Sequence, residues 1–342
     1  MAFKYRQRIP DADAILKQMP LPGDLAGIKR QRDREVIDIM TGKSRKFLLV
    51  IGPCSAESED PVCEYVARLA RVQDKVKDRL VLVPRIYTNK PRTTGIGYKG
   101  MAHQPDPNED PNIVEGILAI RRMHIRVLRE SGLSSADEML YPGNYPYLED
   151  VLTYVAVGAR SVENQEHRLT VSGLDIPVGM KNPTGGDIMV MINSVRAAQS
   201  PHIFAYKGWE VETNGNPLIH AILRGAIDPY GRCVPNYHFE DIVHLKELYE
   251  KAGLVNPGVV IDVSHANSNR DFREQPRVAV EALHSRKYSE DVRAFVKGLM
   301  IESYLIEGRQ DPPGKVCGQS ITDACLGWEA SEDLILRIAD MV

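Results

Sequence analysis

Cysteine is sparse in this chain and shows no pairing pattern. The five thiols, Cys54, Cys63, Cys233, Cys317 and Cys325, are odd in number and form no C-x-x-C motif. That argues against a disulfide framework and a zinc knuckle and leaves reduced thiols. Long apolar runs are missing too: no uninterrupted stretch approaches the roughly 20 residues that span a bilayer. The opening MAFKYRQRIP has no signal-like apolar core. The expectation is a soluble, cytoplasmic protein with no membrane partner. Charge of one sign is also in short supply. A net charge of -3, with basic residues scattered along the chain, argues against nucleic acid as a partner. There is no G-x-G-x-x-G opening a first helix, no low-complexity segment and no internal repeat of fixed period.

What the chain does have is alternation. Short apolar or β-branched runs occur at 47–55 (FLLVIGPCS), 80–87 (LVLVPRIY), 135–140 (SADEML), 159–162 (ARSV), 177–182 (PVGMKN), 202–207 (HIFAYK), 258–265 (GVVIDVSH) and 297–303 (KGLMIES). Segments with helical spacing separate most of them, including 61–76, 112–131, 186–199 and 239–253. Eight such units in one domain favour an α/β fold closed as a (β/α)8 TIM barrel over an open doubly wound sheet. Residues 1–44 stand outside the alternation. They hold a helix-like DADAILKQMP, a Pro22-Gly23 interruption and a charged amphipathic segment whose Val36, Ile37 and Ile39 require burial. These residues read as an N-terminal helical arm, packed on the barrel or on another subunit, with the catalytic barrel at 45–342.

A barrel gathers the C-terminal ends of its strands on one face, and chemistry sits there. Those ends are rich in polar residues here. After the second run, PRIYTNKPRTTG places Arg85, Lys90, Arg92 and Thr93 in one short loop. Arginine forks and a mobile lysine suit carboxylates and phosphates, and threonine hydroxyls can donate to phosphate oxygens. Glu138, Arg160, Lys181 and Arg224 follow other runs, extending an anion cradle. Cys54, His265, Glu302 and Asp323 supply one sulfur, one imidazole and two carboxylates, a set suited to one divalent ion such as Mn, Fe, Co or Zn. Each residue alone has a duller explanation: an inert buried thiol, a core histidine, helix-capping carboxylates, barrel-mouth ion pairs. Their joint placement at strand ends would then require several unrelated coincidences.

The loops GPCS (52–55), KPRTT (90–94), GAR (158–160), PVGMKN (177–182), ILRG (222–225), DVSHAN (262–267), IES (301–303) and SITDACLGWE (320–329) together resemble the type I 3-deoxy-D-arabino-heptulosonate-7-phosphate (DAHP) synthases. The resemblance is to the microbial branch with phenylalanine-, tyrosine- and tryptophan-sensitive forms, and runs from about residue 45 to the end. It implies a metal-dependent TIM barrel that condenses phosphoenolpyruvate with D-erythrose 4-phosphate and water, giving DAHP and phosphate, the first shikimate-pathway step. It also implies a homodimer or homotetramer. By the same resemblance Cys54, His265, Glu302 and Asp323 are metal ligands. Arg85, Lys90, Glu138, Arg160, Lys181 and Arg224 hold phosphoenolpyruvate, Arg92 and Thr93 hold the aldose phosphate, and Lys90, Cys54, His265 and Asp323 are the catalytic group.

Three departures from that family pattern bear on regulation and the metal. Tyr304 stands where relatives carry His. The segment 204–224 is short for an effector-binding hairpin and offers Asn214-Gly215 as its turn. Asp175 in SGLDIPVG replaces a small hydroxyl residue, so a carboxylate would oppose that of an incoming amino acid. Weak or absent inhibition by aromatic amino acids is therefore expected. The competing readings are a related phosphoenolpyruvate condensation with another aldose phosphate, such as arabinose 5-phosphate, and a metal-dependent sugar-phosphate aldolase. The KPRTT loop argues against the first and the large cation set against the second.

Overall fold

The computed structural model describes residues 2–342. Its centre is a sheet of eight parallel strands: β1 (Phe47–Gly52), β2 (Leu80–Pro84), β3 (Ser135–Glu138), β4 (Leu152–Val157), β5 (Val178–Lys181), β8 (Ile219–Leu223), β11 (Val259–Asp262) and β12 (Val296–Glu302). The neighbours run β2-β1-β12-β11-β8-β5-β4-β3. The ring closes between its ends through a parallel bridge of Arg85 with Ala136, where the Ile86 amide donates to the Ala136 carbonyl at 2.9 Å. The result is the expected (β/α)8 barrel.

Every residue of the first seven of these strands is buried, which is why they read as continuous apolar runs rather than alternating ones. Alternation persists in the direction of the side chains. Leu48, Val50, Val81, Val83, Tyr154, Ile222, Val260 and Met300 fill the interior, while Leu49, Ile51, Leu82 and Val155 face the helices. Those helices include α3 (Glu59–Val76), α4 (Ile113–Ser131), α5 (Gln165–Ser172), α6 (Ile188–Gln199), α7 (Phe239–Lys251), α8 (Gln275–Tyr288) and α10 (Trp328–Met341). The short α9 (Glu290–Phe295) leads into β12. Helix α4 shows how the boundaries arise: Asn112 accepts the Glu115 amide at its start, and Gly132, at φ 66°, supplies the left-handed residue that ends it.

The N-terminal segment forms α1 (Ala12–Gln18), capped by Asp11, and α2 (Gly23–Met40), broken at Pro22-Gly23 as the sequence suggested. Ile15 packs with Ile117 and Tyr147 on the flank of the barrel. Val36, Ile39 and Met40 of α2 join the interior cluster and form its floor at the N-terminal ends of the strands.

Three expectations need correction. The fourth strand is LTYVAV at 152–157, and ARSV at 159–162 lies in the turn beyond it. The sixth barrel strand is IHAIL at 219–223 rather than HIFAYK at 202–207. The latter is a strand, β6 (His202–Tyr206), but pairs antiparallel with β7 (Trp209–Thr213) in a hairpin outside the barrel, with the half-exposed alternation of an outlying ribbon. The hairpin is closed by Lys207-Gly208, at φ 51° and 79°, which meets the positive-φ requirement of a tight two-residue turn. Asn214-Gly215 follows the hairpin instead. Gly215 is needed there because a Cβ would lie 2.2 Å from the Gln199 carbonyl oxygen. Two further ribbon strands, β9 (Ala226–Ile227) and β10 (Cys233–Val234), decorate the loop after β8.

Candidate active site

The C-terminal mouth of the barrel holds a cavity of about 370 Å³ whose wall includes Arg85, Lys90, Arg92, Glu138, Arg160, Lys181, Arg224, His265, Glu302 and Asp323. Cys54 lies beneath it and Thr93 on its rim, so the structure brings all twelve candidate residues to one place. The misplaced strands did not disturb this: Arg160 is three residues beyond β4 and Arg224 directly follows β8.

Cys54, Glu302 and Asp323 present ligand atoms that all lie within 4.8 Å of one another. The Cys54 thiol is fully buried, and burial, reinforced by Glu302 and opposed by Lys90, pushes it up to about 12. A nearby cation is required to hold it as thiolate. The Lys90 ammonium lies 2.5 Å from Cys54 Sγ and 3.1 Å from Asp323 Oδ2 but does not overcome the burial, and the thiol donates to Asp323 Oδ2 at 3.3 Å. Burial works against the Lys90 charge, but the sulfur and the two carboxylates outweigh it and raise its pKa. In turn the ammonium holds the Asp323 carboxyl well below the usual range. Asp323 is 62% exposed on its side chain, leaving the nest open toward the cavity.

His265 stands at the edge of this group, its Nε2 3.8 Å from Glu302 Oε1. Its orientation is set from behind. Ser264 donates its hydroxyl proton to Asp262 Oδ1 at 2.5 Å, so Ser264 Oγ, 2.8 Å from His265 Nδ1, is free to accept from that nitrogen. Asp262 Oδ2 lies a further 2.9 Å from the same Nδ1. A proton on Nδ1 leaves the Nε2 lone pair directed at the nest, the arrangement that metal-ligating histidines use. Glu302 is fixed likewise: Arg85 donates to Oε1 at 3.0 Å, and Gln275 bonds both the amide and the carbonyl of Glu302. Arg85 is itself buried, donates to the Pro53 carbonyl and lies over the Tyr87 ring, 3.7 Å from its centroid.

The cations beside the nest are short of partners. Arg224 is buried and its Nη1 finds no hydrogen-bond acceptor in the protein. Burial, with Arg160 nearby, depresses its pKa despite the pull of Asp262. Lys181 Nζ sits 3.3 Å from Asp262 and 3.8 Å from Glu138. The Glu138 carboxylate is wedged against Gly158, where a Cβ would fall 2.3 Å from Oε1. Arg160 Nε donates to Thr93 Oγ1 at 3.0 Å, joining the loop after β2 to the loop after β4, and Arg92 Nε donates to the Tyr98 carbonyl within its own loop. Buried cations with open donors are built to meet an anion.

Sequence reasoning missed Asp262, Ser264 and Gln275, which position His265 and Glu302, and Arg270 and Arg309, which add cations to the cavity wall. Asp262 was legible, since it ends an apolar strand three residues before His265. Gln275 opens α8 in a polar segment, with nothing local to mark it. Tyr304, the departure from the family pattern, is buried and donates to Glu57 Oε1 at 2.8 Å, so it acts behind the nest and not in it.

A closed eightfold barrel whose mouth joins a thiol, imidazole and carboxylate nest to a cradle of underpartnered cations defines an enzyme acting on small, multiply anionic substrates. Comparisons with known proteins make this specific. The DAHP synthetase I family model matches residues 22–335, and the chain belongs to that family. The phenylalanine-sensitive phospho-2-dehydro-3-deoxyheptonate aldolase of Escherichia coli K12 is 37% identical over 337 residues, covering 96% of this chain and 93% of the relative. The tyrosine-sensitive form of the same strain is 40% identical over 315 residues, covering 89% and 85%. The solved structure of the Francisella tularensis SCHU S4 phospho-2-dehydro-3-deoxyheptonate aldolase superposes with a TM-score of 0.92 at 32% identity, covering 99% of this chain and 98% of that one.

Proposed function

We propose that this cavity carries out the condensation of phosphoenolpyruvate with D-erythrose 4-phosphate and water to DAHP and phosphate, the first shikimate-pathway step, with one divalent metal held by Cys54, His265, Glu302 and Asp323. The observation that carries this reading is the convergence of the ligand nest and the open cation cradle in one cavity. The nest fits a metal on its own chemistry. It already closes around the positive charge of Lys90, and its sulfur, nitrogen and carboxylate donors suit Mn, Fe, Co or Zn better than Mg or Ca.

Arg160, Lys181 and Arg224, with Arg85 and Lys90 deeper in, take the phosphate and carboxylate of phosphoenolpyruvate. Arg92 and Thr93 take the phosphate of the aldose, and the Arg160–Thr93 bond sets the two sites side by side. Holding both substrates against their mutual repulsion brings the methylene carbon of one to the aldehyde carbon of the other. When bound, the metal supplies Lewis acidity at the aldehyde oxygen. Formation of the carbon–carbon bond leaves positive charge at C2, to which water adds. Glu138, beside Lys181, accepts the water's proton, and phosphate leaves by C–O cleavage.

Chelator-stripped protein is expected to consume no phosphoenolpyruvate with erythrose 4-phosphate and to recover when single metals are returned; turnover without metal sinks the ligand assignment. In oxygen-18 water the label is expected at C2 of the product. Label in the released phosphate would mean that the water attacks phosphorus instead.

The chain further reads as an arm, residues 1–44, and a catalytic barrel, residues 45–342. Assembly as a homodimer or homotetramer is supported by exposed Phe3, Tyr5 and Ile9 in the arm and Ile203 and Trp209 in the hairpin; light scattering tests it. Among the described residues no helix is long and apolar enough to cross a membrane, and the reading places the enzyme in the cytoplasm. Sensitivity to aromatic amino acids is read as weak or absent because of Asp175 and the short β6–β7 hairpin.

A further inference from the structure

The opposite end of the barrel carries a second concentration of unpartnered cations. A cavity of about 440 Å³ opens at the N-terminal ends of β1 and β12, between the C-terminal end of α2 and the α8–α9 connection. Arg286 lines it and is 9% exposed as a residue, yet its buried Nε has no hydrogen-bond partner and, among the described residues, no carboxylate pairs with it. Its one compensation is the Phe47 ring, 4.4 Å from the guanidinium carbon to the centroid. Lys297, the residue of β12 that is not fully buried, reaches the same space with its ammonium over Gly42. It too has no ion pair. Arg45 and Lys46, in the loop that enters β1, complete the wall. Among the described residues the one carboxylate lining the cavity is Glu290, and it is bound to Arg293 at 2.9 Å.

Both cations are harder to charge here than in water. Burial and Arg293 press Arg286 down to about 10, and burial and Arg286 depress Lys297. The C-terminal carbonyls of α2 offer Lys297 some relief through the helix dipole, but they leave the Arg286 fork without a partner. Two cations drawn together and shielded from water, with a guanidinium edge open to a cavity, have the composition of an oxyanion site.

We infer that this cavity binds a doubly charged, phosphate-like oxyanion between Arg286 and Lys297. The site lies about 20 Å from the candidate active site, six strand residues away along β1 and β12. It is distinct from the phosphate positions proposed there. Small-molecule phosphates, free or as the phosphate group of a metabolite, share the chemistry; inorganic phosphate is the probe.

Titration calorimetry with inorganic phosphate on the full chain, compared with Lys297→Met and Arg286→Met variants, tests the inference. Neither residue belongs to the active-site cavity, so the phosphate bound there serves as an internal reference. The wild-type chain is expected to bind one more phosphate than either variant, with a dissociation constant of about 1 mM or tighter. Lys297→Gln, at a partly exposed position, keeps the test available should the buried arginine variant not fold. An unchanged stoichiometry in a folded variant overturns the inference, as does a wild-type site that takes succinate but not phosphate. A parallel titration with a phosphate monoester separates free phosphate from a phosphorylated metabolite as the occupant.

Discussion

Asp262 supports two neighbours at once. Burial opposes its ionisation, but His265 and Lys181 outweigh that and hold its carboxyl well below the usual range. Replacing it with Asn keeps an oxygen to accept the Ser264 proton but removes the negative charge and the second carboxylate oxygen, 2.9 Å from His265 Nδ1, that bias His265 toward the protonated Nδ1. Asp262→Asn is therefore expected to weaken metal binding by about 10- to 100-fold, the usual effect of losing such a support, as read by metal titration of the stripped protein. If affinity is unchanged, the His265 tautomer is set by something else. Tyr304 makes a contrasting case. Its hydroxyl bonds Glu57 behind the nest, so Tyr304→Phe is expected to leave metal affinity within a few-fold of the parent while disturbing Glu57. A metal-binding defect as large as that of Asp262→Asn would bring Tyr304 into the nest.

The strand ends set the spacing of the cradle, and Gly158 is the point where β4 leaves the sheet. An added methyl there would lie 2.3 Å from Glu138 Oε1 and force that carboxylate away from Lys181. Gly158→Ala is expected to lower kcat/KM by about 100-fold with the fold retained, since an ångström of misplacement has that scale of effect; steady-state kinetics beside circular dichroism separate the two. The β6–β7 hairpin bears on regulation. Phenylalanine is expected to leave the rate unchanged, and half-maximal inhibition at low micromolar concentration would show that the short hairpin and Asp175 still form an effector site.

These elements also show what local sequence can and cannot reveal. The run at 47–52 is apolar throughout because both faces of β1 are covered, so strand and burial were legible together. HIFAYK has the aromatic and β-branched content of a strand and is one, but composition does not say which sheet it joins; pairing across β7 decides that. IHAIL was hidden behind it, carrying His220 within an otherwise apolar barrel strand. That imidazole is buried against the Tyr154 hydroxyl at 2.7 Å, and burial lowers its pKa to about 4, so it packs there uncharged. The site residues survived the strand errors because the two that those strands carry, Arg160 and Arg224, lie three residues beyond β4 and directly after β8. Partners such as Gln275, brought in from a helix 27 residues upstream of Glu302, depend on tertiary packing alone.

For the whole molecule, two buried carboxyls, Asp137 and Glu57, are pushed up to about 7 by desolvation and act in the same direction; Glu57, raised despite the Tyr304 bond, lies outside the substrate cavity and is the one to test. Below its ordinary value of 4.5 both folded and unfolded chains hold the proton. Between there and about 7 the unfolded chain releases it and the folded chain does not, so this group makes stability fall as pH rises, by up to about 1.4 kcal/mol per pH unit, and level off above. Glu57→Gln keeps an oxygen to accept from Tyr304 and is expected to lessen that slope, leaving the part due to Asp137, in denaturant unfolding at pH 5, 6 and 7. A slope identical to the parent's would place the proton elsewhere.

The ring order has a consequence for how the molecule comes into being. β12, the last barrel strand to be synthesised, sits between β11 and β1, and Glu302 at its tip faces Cys54 at the tip of the first. A nascent chain with everything but its last 50 or so residues has a floor, most of its helices and seven strands, but no complete mouth. The mouth is then complete only when the final strand has closed the ring between its two neighbours and Asp323, beyond it, has followed.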